Sequence, residues 1–294
     1  MNAAETALAG LIDYAGLYPP ASLPLDEVVR RFATYRTSPY AWMLGRLIVP
    51  VEQLAAASNL AAASGATSAD RWPVSVLVGD SASAASNASR IVVFSGAPTS
   101  VLQVDAIEAT ASTPEEIACV ADAYPVTIER FVEIPSEPDP APLLHHLARA
   151  GCSAKIRTGG TTADRFPTTA AVARFLARAS TSGVAMKATA GLHHAQRGQY
   201  PLTYADDSPT GTMHGFVNLT FAAALLASGK IDESLAGDCL DDDRPGVFKF
   251  GGRAGSWLNG VLTYGEFAHA RRVLLRSVGS CSFEEPLGEV LPLL

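Results

Sequence analysis

Lysine is nearly missing from this chain. Only Lys155, Lys187, Lys230 and Lys249 stand among its 22 basic residues, the rest being arginine, so the placement of each lysine carries information. Cysteine is sparse as well. Cys119, Cys152, Cys239 and Cys281 are far apart and form no CxxC pair, which excludes a disulfide-stapled scaffold and points to reduced thiols in a cytoplasmic protein. Cys281, within Gly-Ser-Cys-Ser, reads as a buried structural thiol rather than a nucleophile. Aromatics make up 7% of the chain and the net charge is −7, with no basic run, which argues against an extended nucleic-acid surface. No uncharged apolar stretch reaches the roughly twenty residues a membrane span needs; the longest, 215–228, is too short. The first residues lack a basic region ahead of an apolar run, so no signal peptide is expected.

What is present is a large apolar inventory. With 294 residues, 48% of them hydrophobic and 17% charged, the chain can bury one sizeable α/β core. A helix is expected at 3–10, then a strand at about 11–17 halted by Pro19 and Pro20, with Asp13 among apolar neighbours. An unpaired carboxylate there is costly, so Asp13 needs a partner. Further strands are expected at 46–50, 72–79, 101–109 and 126–134, alternating with helices at 25–36, 51–63, 81–95, 114–123 and 140–150. Asp105 is the acid singled out in the fourth strand, while Glu129 and Glu133 share one face of the fifth.

The next unit organises the chain. Cys152-Ser-Ala-Lys155-Ile-Arg157-Thr-Gly-Gly and Val184-Ala-Met-Lys187-Ala-Thr189-Ala-Gly191 are short β-prone runs, each interrupted by one lysine and closed by glycine. Between them, Val172, Phe175, Leu176 and Ala179 recur at helical spacing behind a Pro-Thr start signal. Strand, helix and strand make a βαβ unit with parallel strands, in which Ser153, Lys155 and Arg157 share one face and Ala185, Lys187 and Thr189 share another. Inside a barrel the two lysines would lie side by side, each easing loss of the other's proton, and a deprotonated amine is a nucleophile. The bland alternative is that the lysines reach solvent or pair with carboxylates.

Strands alternating with helices at this spacing predict a single (β/α)8 barrel over 1–294, with an N-terminal helix and a long insertion after the seventh strand, about 195–262. The eighth strand falls near 247–250 or, preferably, near 277–282 after a helix at 263–275. Asp13, Asp105, Glu133, Lys155, Arg157 and Lys187 would converge at the mouth of such a barrel. Exposed apolar character in 213–228 hints at a homodimer.

These motifs, taken in order, resemble the class I deoxyribose-phosphate aldolase family. Leu11-Ile12-Asp13, followed by Leu17 and Pro19, is similar to its first-strand aspartate motif, and Val104-Asp105 to its fourth-strand acid. Lys155-Ile-Arg-Thr-Gly resembles the family's Schiff-base motif Lys-Thr-x-Thr-Gly, and Lys187-Ala-Thr-Ala-Gly its second-lysine motif Lys-Ala-Ser-Gly-Gly, 32 residues on. The resemblance spans about 11–192. Ile156 and Arg157 depart from it, the segment after Gly191 is longer, and the phosphate-binding turn has a faint counterpart in Gly279-Ser280-Cys281-Ser282.

The resemblance implies a carbon–carbon lyase of the Schiff-base type, acting on a small carbonyl substrate, carboxylated or phosphorylated, without a cofactor. Lys155 would attack the carbonyl, Lys187 would lower its pKa by repulsion, and Asp105 would relay protons. Asp13, Arg157, Glu133, Thr189, Gly191, Ser280 and Ser282 would line the substrate site, with Arg157 clamping an anionic group. The structural alternatives are that Asp105 neutralises a lysine and that Arg157 bridges to Glu133. Two rival functions remain: a metal-dependent hydrolase or lyase using His193, His194 and His214 with a carboxylate, and a non-catalytic ligand-binding barrel.

Overall fold

The computed structural model describes residues 2–294. Eight parallel strands close into a barrel: β1 (Ile12–Tyr14), β2 (Leu44–Pro50), β3 (Trp72–Asp80), β4 (Leu102–Thr110), β5 (Glu129–Glu133), β6 (Ser153–Arg157), β7 (Met186–Thr189) and β13 (Leu275–Ser280). Each strand pairs with its sequence neighbour, and β13 closes the ring between β7 and β1. The chain is therefore the (β/α)8 barrel its rhythm predicts, with the eighth strand in the preferred place. The first strand is shorter than expected, because a turn begins directly after it, with Tyr18 N–H donating to Ala15 O.

Strand alternation builds two environments. In β3, Val74, Val76 and Val78 are fully buried in the apolar layer under the helices, whereas Ser75 and Leu77 face the barrel axis. The outer layer is α2 (Leu25–Arg36), α3 (Leu54–Ala63), α4 (Ala84–Gly96), α5 (Pro114–Ala123), α6 (Ala141–Ala150) and α7 (Thr169–Thr181), with α1 (Ala3–Leu8) ahead of β1. Capping follows local chemistry: Thr113 and Glu116 form a reciprocal capping box on α5, and the Thr168 hydroxyl accepts from Ala171 N–H at the start of α7.

The insertion after β7 is ordered. It holds the ribbon β8 (Gly198–Pro201) and β9 (Thr210–Met213), then α8 (Phe216–Ala227), α9 (Glu233–Asp241), a small antiparallel sheet of β10 (Phe248–Phe250), β11 (Ala254–Trp257) and β12 (Gly260–Thr263), and α10 (Tyr264–Val273). A final helix, α11 (Glu284–Val290), follows β13. The candidate strand at 247–250 thus belongs to the side sheet.

Helix α8 is not the exposed apolar surface on which the dimer expectation rests. Phe216 through Leu225 are all buried within this one chain, Phe221 packing 5.1 Å from Phe248 and 5.3 Å from Phe267 between ring centroids. A helix apolar on every side is a core helix, and the insertion covers its outer face. Asn218 ties the layers together: its Nδ2 donates to Asp242 O and its Oδ1 accepts from Arg197 N–H. No helix among the described residues is long and apolar enough to cross a membrane.

Candidate functional site

A cavity of about 360 Å³ opens at the C-terminal ends of the strands, with Lys155, Lys187 and Glu108 at its floor. The lysines come from adjacent strands and are direct register partners, as the βαβ reading expects. They are not bare. Lys187 Nζ donates to Asp13 Oδ2 at 2.5 Å and Glu108 Oε1 at 2.7 Å, while Lys155 Nζ lies 2.9 Å from Glu108 Oε2 and 3.1 Å from Glu133 Oε2. Ser75 Oγ adds a bond to Glu108 Oε1, and Ser277 Oγ one to Asp13 Oδ2.

This pattern overturns the expected activation of Lys155 by repulsion. Burial pushes the Lys155 ammonium down, but Glu108 and Glu133 outweigh burial and raise it above the ordinary lysine value. For Glu108, burial pushes up, yet the Lys155 and Lys187 charges prevail and hold the carboxyl well below the usual carboxylate range. Glu108 is therefore favoured as an anion, held between the two lysines.

Glu108 takes the place expected for Asp105. In the β3–β4 register Val74 pairs with Val104 and Ser75 with Ala106, so Asp105 is an extra, unpaired residue at a bulge. It stays half-buried near Arg46, where burial raises its carboxyl and Arg46 lowers it, and it does not line the cavity. The bulge shifts the alternation downstream and turns Glu108 inward. A second acid in the apolar run Val104–Ala109 is the signal that could have found it.

Asp13 is also reassigned. It is fully buried beneath the cavity, its Oδ2 held by Lys187 and Ser277 and its Oδ1 accepting Arg46 N–H at 2.7 Å. It anchors Lys187 and is closed to substrate. A Cβ on Gly45 would collide with Asp13 Oδ1, so the backbone approach that makes the Arg46 N–H bond requires glycine there.

Thr189, Gly191 and Arg157 line the cavity as expected, joined by Arg165, His193 and Cys281, which sequence reasoning did not assign to substrate. Gly191 has φ +70°, and a Cβ on it would lie 2.6 Å from Phe166 Cε1. Arg157 Nε is 3.4 Å from Glu133 Oε1, so the structural alternative for that pair holds. Ser280 and Ser282 do not line the cavity, because alternation turns Gly279 and Cys281 toward it instead. Their hydroxyls accept from Ser282 N–H and Glu285 N–H, respectively.

The histidines proposed for a metal are engaged separately. His193 Nδ1 is 3.9 Å from Cys281 Sγ, His194 Nδ1 is 2.6 Å from Glu289 Oε1 with its ring stacked on Tyr200, and His214 Nε2 is 2.8 Å from Pro167 O. No group of three His, Cys, Asp or Glu side chains among the described residues is placed to hold a metal ion. Burial pushes His193 down to about 4 and Cys281 up to about 11, so a neutral imidazole and a neutral thiol form that wall at pH 7.

The chain matches no known family model, and no curated protein matches it in sequence.

Proposed function

We propose that this barrel is a Schiff-base-forming carbon–carbon lyase acting on small carbonyl compounds, with Lys155 as the nucleophile. One observation carries this: Lys155 Nζ lies at the floor of a cavity between two carboxylates, Glu108 buried beside it and Glu133 near the mouth. Lys187 is the poorer candidate, being fully buried and paired with Asp13 and Glu108.

The chemistry balances within this set. The Lys155 ammonium passes a proton to Glu133, and the free amine adds to the carbonyl carbon. A proton moves from that nitrogen to the former carbonyl oxygen, giving a neutral carbinolamine. Glu133 returns its proton to the departing hydroxyl, which leaves as water, and a protonated imine remains. Ammonium and iminium carry the same charge, so Glu108 faces a cation before and after. The iminium then accepts the electron pair of the adjacent carbon–carbon bond as Glu133 takes the proton of the hydroxyl beyond it. An enamine and a free aldehyde result. The four free thiols support a reducing, cytoplasmic setting.

Borohydride trapping with a panel of small aldehydes and keto acids, followed by peptide mass mapping, tests the proposal. A reduced adduct on Lys155 is the expected result; its absence with every member of the panel sinks the proposal. A second reading, a non-catalytic ligand-binding barrel, is favoured by the raised Lys155 ammonium, which keeps the amine protonated at rest. It requires binding without any adduct.

A further inference from the structure

The mouth divides into two chambers. One is the lysine cavity; the other, about 540 Å³, lies over the ends of β3 to β6, and Arg157 and Arg165 line both. Their electrostatics are opposite. The larger chamber carries four carboxylates, Asp80, Glu116, Glu133 and Asp164, against the two shared arginines, whereas the lysine cavity has Lys155, Lys187, Arg157 and Arg165 with Glu108 in its wall and Asp13 and Glu133 bonded to its lysines. An anionic group therefore has one favourable place at the mouth: the lysine side of the boundary formed by the two arginines.

Arg157 is not idle there. Its Nε lies 3.4 Å from Glu133 Oε1, while the other oxygen of the same carboxylate is 3.1 Å from Lys155 Nζ. Glu133 is thus shared between the nucleophile and an arginine whose side chain is 54% exposed and free to turn. Arg157 and the Lys155 ammonium therefore compete for one carboxylate, and the proton leaving Lys155 must arrive on a group that Arg157 also holds. Glu108 is the poorer base, because its Oε1 already accepts hydrogen bonds from Lys187 Nζ and Ser75 Oγ, which weaken it as a proton acceptor.

Resting on the Schiff-base proposal, we infer that the substrate is a carbonyl compound bearing a carboxylate or phosphate, and that this anion draws Arg157 off Glu133, releasing Glu133 to take the Lys155 proton. The guanidinium fork exchanges a long contact with a shared carboxylate for a paired contact with the substrate anion. Recognition and activation become one event. A neutral carbonyl compound enters the same cavity and leaves the switch unset.

The test uses the full chain, cyanoborohydride reduction and quantified Lys155 adduct, comparing acetaldehyde, pyruvate and glycolaldehyde phosphate in the wild type, Arg157→Leu and Arg157→Lys. Each probe is read as the ratio of variant to wild type, which removes its intrinsic reactivity. In Arg157→Leu the acetaldehyde rate is expected to rise severalfold, while at least one anionic probe falls by about tenfold, the scale of one lost charge-assisted contact. The probe that falls further identifies carboxylate or phosphate as the natural group. Arg157→Lys, which keeps the charge without the fork, should restore the low acetaldehyde rate and recover the anionic probe only in part. Equal changes for all three probes, or none, overturn the inference while the Schiff-base proposal stands. No Lys155 adduct with any probe in the wild type overturns both.

Discussion

Lys155 and Lys187 divide one carboxylate between them, Lys155 at Glu108 Oε2 and Lys187 at Glu108 Oε1, 2.9 and 2.7 Å away. Two amines that would repel each other in the barrel are thereby bound to a common anion, with Asp13 behind one and Glu133 above the other. The arrangement separates roles. Lys187 lies fully buried at the cavity floor above the sealed Asp13, whereas Lys155 meets the cavity and Glu133 the mouth.

Lys187→Met removes the central cation, leaving Asp13 as a buried carboxylate without a cation and Glu108 with Lys155 alone. The expected loss of stability is about 3–5 kcal/mol. Urea unfolding measures it, and adding Asp13→Asn should recover part of the loss, since one orphaned charge disappears. A single-variant loss below about 1 kcal/mol contradicts the role assigned to this pair.

Glu133→Gln keeps the shape of the side chain and removes the proton acceptor. The rate of Lys155 adduct formation should drop about 10²-fold or more. Asp105→Asn, outside the cavity, should leave it within a factor of about two, because surface-type changes away from the reacting atoms act weakly. Matching losses in the two variants would return Asp105 to the reaction.

The pH dependence of folding has a defined sign at His193. Its folded value is about 4 against an ordinary 6.5, so the unfolded chain binds the proton more readily. Its contribution to stability is complete above 6.5 and is lost as pH falls through 6.5 toward 4. At pH 5 the loss is roughly 2 kcal/mol. Denaturant midpoints at pH 7 and pH 5 should converge in His193→Asn relative to the wild type.

Gly45→Ala places a methyl against Asp13 Oδ1 and 3.0 Å from Gly10 O, where neither the locked carboxylate nor the backbone yields easily. The expected destabilisation is about 1–3 kcal/mol, read by thermal or urea unfolding. Gly288→Ala, with open space around it, is the control for helix α11 and should cost nothing.

The barrel was legible in the sequence because period-2 apolar strands and period-3.6 helices follow from local chemistry, and their alternation leaves few closed solutions. The lysine pair was legible for the same reason: two lysines at matching places on successive strands become register partners in any parallel βαβ unit. The fourth-strand acid was misassigned at Asp105 because a bulge is a property of pairing, visible only against β3. Ser280 and Ser282 were misplaced by one step of the alternation that brings Gly279 and Cys281 to the cavity. Residues 213–228 looked like an interface because nothing in their own sequence says that α9 and the side sheet cover them.

The chain's own order of residues thus determined the eight-stranded barrel and the presence of two lysines facing its axis, since both depend on neighbours close in sequence. Tertiary structure alone decided the charge state around those lysines. Asp13, Glu108 and Glu133 come from three other strands, and Coulomb energy depends on distances of a few ångströms that only the closed barrel creates.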